Sequence, residues 1–238
     1  MKLVSLSRSF AMGFAFCGFL FFASAAASQT CNGPGKERWP VKTALLASPS
    51  LHHAAKFALN DLLALPEPPN VQHNDPRYQK ALLPPFSNSL NVKEGALLTT
   101  TGWLYLVATE SSDCDYHIQI SPVSRTTTNK PTSADNCLVV EVPRPDFVAD
   151  PQLGQLVGNI RAYVRSKLLR GSEPTGAGNV MIHAVCVEAT GQLFYDDAHV
   201  GSDGVVEARG KRGMDSRTLW ELHPLTKFRI VPASNCHF

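Results

Sequence analysis

The sequence predicts a mostly β fold with one main helix: an OB-like five-stranded barrel in the order β-β-β-α-β-β, behind an irregular N-terminal segment. Three observations predict it. From Ala96 onward, runs of β-branched and aromatic residues replace the turn-rich composition of residues 28–95. One long stretch with helical spacing falls between the third and fourth of these runs. The first run is long and holds Gly102, and a glycine inside a strand marks a bulge or bend. A helix between strands three and four is the layout of the OB barrel, a five-stranded Greek key. The same order also permits a generic α+β sandwich.

The elements follow in order. Residues 1–27 read as a secretory leader: a basic start from Met1 to Arg8, an apolar run from Phe10 to Phe22, then small residues from Ala23 to Ser28. The apolar run is short for a hydrocarbon core of about 30 Å, so cleavage near Ala27 is expected rather than anchoring. No other segment is apolar enough to span a bilayer. The mature chain is therefore expected to be secreted or periplasmic and to have no transmembrane segment. Residues 28–95 are irregular, with helical spacing around Ala54 to Leu65 that Pro66, Pro68 and Pro69 stop. Trp39 of this segment is a candidate plug for the barrel.

Residues 96–238 form the barrel domain. Its first strand is Ala96–Thr109. The second alternates over Asp115–Ile120, and the third is Leu138–Pro143. The helix opens with Asp150 as N-cap and Pro151 in its first turn. Leu153, Leu156, Val157, Ile160, Val164 and Leu168 recur at helical spacing, and Gly171 ends it. A bent fourth strand covers Val180–Val187 and Gly191–Asp196. After a polar loop, Thr218–Val231 is the fifth strand.

Charge and cysteines narrow the setting. Taking Lys2 and Arg8 of the leader from 22 basic residues leaves 20 against 20 acidic ones. A neutral chain has no general attraction to a polyanion, so any nucleic-acid site must be a local basic patch. Outside the leader stand Cys31, Cys114, Cys137, Cys186 and Cys236, an odd number in an oxidising setting. Cys31 with Cys236 would staple the ends, Cys114 with Cys137 would close a hairpin, and Cys186 would be a buried thiol. Spacing alone does not decide the pairing.

Strand parity selects the candidate site. Apolar side chains fill small barrels, so Tyr116, Ile118, Val140, Val142, Trp220 and Leu222 point inward. The opposite parity sends His117, Glu141, Glu221 and His223 to one exposed outer face of strands two, three and five, where OB barrels bind ligands. His199 lies in the loop bordering that face. Imidazoles and carboxylates converging there suit a divalent metal (zinc, manganese or iron) or general acid–base chemistry. Arg209, Lys211 and Arg212, among glycines, suit a phosphate or an acidic sugar. An exposed polar strand face is the plainer reading of the same residues. The chain has no C-x-x-C, H-E-x-x-H, G-x-S-x-G or Walker motif to sharpen it.

The segments Glu37-Arg38-Trp39-Pro40-Val41-Lys42-Thr43, Asp115-Tyr116-His117-Ile118, Glu141-Val142-Pro143, Gly191 to Asp196 with His199, and Glu221-Leu222-His223-Pro224-Leu225 occur in that order. In this the chain resembles a group of exported bacterial proteins of no established function. The resemblance implies a bacterial, exported setting and supplies no activity. It departs at Gly201–Ser216, where the loop is longer and more basic than in that group. Three functions are expected of the residues. The first is a binding module for an oligosaccharide or nucleic acid, using Asp115, His117, His199, Arg209, Lys211 and Arg212. The second is a metal-assisted hydrolase, such as a phosphodiesterase or nuclease, with His117, His199 and His223 as ligands and Glu141 or Glu221 as base. The third is a structural envelope protein.

Overall fold

A computed structural model describes residues 31, 33, 37–46 and 53–236. The leader lies outside the described residues. Five strands close a barrel: β2 (Leu97–Thr109), β3 (Tyr116–Ser121), β4 (Leu138–Val142), β5 (Asn179–Tyr195) and β8 (Trp220–Ile230). The order around it is β2-β3-β4-β8-β5, and β5 returns to pair with β2. All neighbours are antiparallel except β4 and β8, which run parallel with Val139 opposite Glu221. This is the OB-like arrangement with one main helix, α3 (Pro151–Leu168), set between β4 and β5. A two-residue strand, β1 (Ala55–Lys56), extends β2 in parallel, and a small hairpin, β6 (Arg209–Lys211) with β7 (Met214–Ser216), fills the loop before β8.

Helix α3 forms where capping and periodicity coincide. The Asp150 side chain accepts from the Gln152 and Leu153 N–H groups. Leu153, Val157, Ile160 and Val164 are buried in the barrel's core cluster. Arg170 and Gly171 adopt positive φ and stop it.

One of two bends differs from expectation. The pairing of β2 slips between Leu104 and Leu106, not at Gly102. Gly102 is small for another reason. A Cβ there would lie 2.8 Å from Leu59 Cδ2 and 3.2 Å from Ile120 Cβ. Leu59 belongs to α2 (Leu59–Leu63), whose Leu59 and Leu62 enter the barrel core. That helix takes the place expected of Trp39, which instead meets Phe147 edge-on at 5.6 Å. The bend of β5 falls where expected, with register shifts on either side of Gly191.

The cysteine pairing also differs. Cys31 is bonded to Cys114 and Cys186 to Cys236, while Cys137 is the free, buried thiol. Cys186 sits opposite in parity to the core residue Val187, so its sulfur faces outward toward the C-terminal turn and its Cys236. Cys137 does not meet Cys114, because Leu138 pairs with Ile120 at one end of β3 while Cys114 precedes Tyr116 at the other; the Cys137 sulfur instead lies 3.0 Å from Gln119 Nε2. Among the described residues no helix is long and apolar enough to cross a membrane.

Candidate functional site

The predicted parity holds. Tyr116, Ile118, Val140, Val142, Trp220 and Leu222 lie in the core cluster. His117 and Glu141 face each other across β3 and β4, and Glu221 and His223 follow on β8. The exposure expected of these four is corrected: His117 and Glu141 are each 5% exposed, Glu221 1% and His223 0%. The cover comes from the chain itself. The short helix α1 (Trp39–Lys42) supplies Lys42 and β6 supplies Arg209, both with nearly buried side chains. Alternation along a strand reveals which face a residue takes, but not what later packs over that face.

Under this cover the side chains form one continuous network. Glu141 lies at its centre, with Oε1 3.0 Å from His117 Nδ1 and Oε2 3.2 Å from His223 Nδ1. His223 also lies 3.1 Å from Glu221 through Nδ1 and 3.3 Å from Asp115 through Nε2. Glu221 Oε2 is 2.8 Å from Arg209 Nη1, which also donates to Asp196. Asp196 in turn holds His199 Nδ1 at 2.8 Å. At the other end His117 lies 3.4 Å from Glu110, and Glu110 pairs with Lys211 at 3.2 Å.

Electrostatics follow from this crowding. Burial alone would lower the His223 pKa, but the carboxylates of Asp115, Glu141 and Glu221 around the ring raise it well above the ordinary imidazole value. Burial works against ionised Glu141 too, and the two imidazoles and Lys42 reverse that and hold it well below the usual range. Lys42 keeps its charge despite burial because Asp196, Glu141, Glu221 and Asp113 face it. Asp113, pushed up to about 6 by burial and then by Asp115, feels the opposite balance.

The structure thus brings together Asp115, His117, Glu141, His199, Arg209, Lys211, Glu221 and His223. Arg212 stands apart: its Nε donates to the Ala177 carbonyl on the surface. The three histidines do not converge on one point. Among the described residues, two groups place ligand atoms within 4.8 Å of one another: Glu110, His117 and Glu141, and Asp115, Glu141 and His223. His199 is in neither, and Glu141, expected as a base, belongs to both. Sequence reasoning missed Lys42, Asp196, Asp113 and Glu110 as members. Lys42 and Asp196 lie inside the Glu37–Thr43 and Gly191–Asp196 segments, and that placement is the one signal the sequence carries for them.

A second buried ion pair props the cover. Arg38, fully buried, binds both oxygens of Glu94 at 2.6 and 2.8 Å and donates to the Tyr195 carbonyl. Its guanidinium stands 4.9 Å over the Phe194 ring, whose edge meets His223 at 5.8 Å. No protein-family model matches the chain, and no curated protein matches it significantly.

Proposed function

We propose that this chain is an exported OB-like domain that binds a divalent cation between Asp115, Glu141 and His223. The observation that carries the reading is buried charge left over beside unsatisfied donor atoms. Asp113, Asp115, Glu141, Asp196 and Glu221 are all buried against two fixed cations, Lys42 and Arg209. Asp115 Oδ2 and His223 Nε2 are buried and make no hydrogen bond of good geometry, although they stand 3.3 Å apart. Two ligands each about 2.1 Å from one ion lie roughly this far from each other. A mixed imidazole and carboxylate set suits zinc, manganese or iron. Without an ion, a proton on His223 is the other way to balance the carboxylates.

Export belongs to the same proposal, as does membership of the bacterial group whose motifs the chain resembles. Two disulfides are compatible with an oxidising compartment. A metal-assisted hydrolase is the second reading, favoured by Lys42 and Arg209, two fixed cations beside the candidate ligands that would attract an anionic substrate such as a phosphodiester. An oligosaccharide or nucleic acid could reach this face only if α1 and the β6–β7 hairpin lifted away.

Elemental analysis of the purified protein, before and after chelation, tests the cation. One equivalent of metal that chelator removes, with a fall in melting temperature that re-addition reverses, is the expected result. In Asp115→Asn the metal should be lost while the far-ultraviolet spectrum is kept. No metal on purification and no melting shift with zinc, manganese or iron would sink the proposal.

A further inference from the structure

Next to Cys114, the neighbour of Asp115, opens a cavity of about 1020 Å³. It is bounded by α3, by the turn at Arg144–Asp146, by residues 171–176 and by the Cys31–Cys114 disulfide. Three arginines line it. Arg144 pairs with Asp146 at 2.9 Å and Arg165 with Glu173 at 3.0 Å. Arg161 differs. It is 8% exposed and lies 3.6 Å over the Tyr116 ring. Its Nη1 donates to the Cys114 and Val142 carbonyls at 2.9 and 3.1 Å. Among the described residues it has no carboxylate at ion-pair distance, and its Nε and Nη2 donate to none of them.

A buried guanidinium is normally paired, because removing a charge from water costs several kcal/mol unless a counter-charge replaces the solvent. Two carbonyls and an aromatic face meet part of that cost through dipoles and the ring quadrupole. They do not neutralise the charge or use the remaining donors. The guanidinium fork matches the paired oxygens of a phosphate or carboxylate. The cavity is at the upper end of the size of pockets that hold small molecules.

We infer that this cavity is a binding site for a small organic anion, whose phosphate or carboxylate head is gripped by Arg161 with Arg165 and Arg144 beside it. The site is separate from the proposed cation site and does not depend on it. The two share a wall, because the Arg144 backbone N–H donates to Asp115 Oδ1 at 3.1 Å.

The test is calorimetric titration of the purified protein with inorganic phosphate and, separately, with succinate, both in the presence of chelator. Chelator removes any cation that could itself hold the anion. Saturable binding of either probe is expected, and the one bound more tightly identifies the head group. Arg161→Gln should weaken it roughly tenfold or more, since a charged hydrogen-bond donor is lost. Arg165→Gln, which leaves the stack on Tyr116 in place, is the second variant and should weaken it less. Amide shifts on titration should cluster at residues 171–176 whether or not Arg161→Gln folds. No binding of either probe at millimolar concentration overturns the inference. So does binding that both variants leave unchanged, or amide shifts confined elsewhere.

Discussion

Arg38 and Glu94 show what a single buried pair does here. Both side chains are fully buried, and Glu94 also accepts from the Leu83 and Tyr195 N–H groups. Replacing Glu94 by Gln leaves a guanidinium without its counter-charge. We expect a loss of about 3–5 kcal/mol, read as a lower urea midpoint. Asp197 gives a signed pH effect. Burial raises its carboxyl to about 6, while Arg38 and the Asp75 N–H pull the other way. The unfolded carboxyl titrates near 3.8, so the folded state binds the proton more tightly. Asp197 therefore adds stability as pH falls from about 6 toward 4, and gives none of this above 6. In Asp197→Asn that part of the pH dependence should flatten in urea titrations at each pH. Residue identity was legible in the sequence where alternation decides it, as at His117, Glu141 and His223. It was not legible for Lys42, Asp113 or Asp196, whose roles arise from a helix and loops folding over a strand face.

At the scale of elements, spacing and capping located α3, and the barrel strands came within a few residues of their observed ends. What escaped was local packing. Gly102 read as a bend because nothing in the pattern announces that Leu59, more than forty residues earlier, will rest against it. Gly191 is tighter. A Cβ there would stand 2.9 Å from Leu225 Cδ2, 3.0 Å from Leu222 Cβ and 3.0 Å from the Pro224 carbonyl. A flexible tip can move, but the carbonyl and the β8 backbone cannot do so cheaply. Gly191→Ala should cost roughly 1–3 kcal/mol in thermal or urea unfolding. Gly102→Ala should cost less, since its closest contact is the end of a leucine side chain.

For the whole molecule, disulfides and topology set the terms. The Cys186–Cys236 bond joins residues 50 apart, which in the chain-entropy account is worth about 4 kcal/mol. Cys236→Ser should lower the melting temperature under non-reducing conditions and leave one more thiol, at Cys186, counted after denaturation. Cys137 should stay unreactive toward thiol reagents until the protein is denatured, because burial pushes it up to about 12.

The parallel seam between β4 and β8 has one more consequence. The last strand among the described residues donates Glu221 and His223, so the cluster is completed only late in synthesis. A polypeptide threaded across a membrane as an extended chain would carry these donors over separately and assemble them only on arrival. On the proposed export, any ion held there would then come from the destination's own supply and not from the compartment of synthesis.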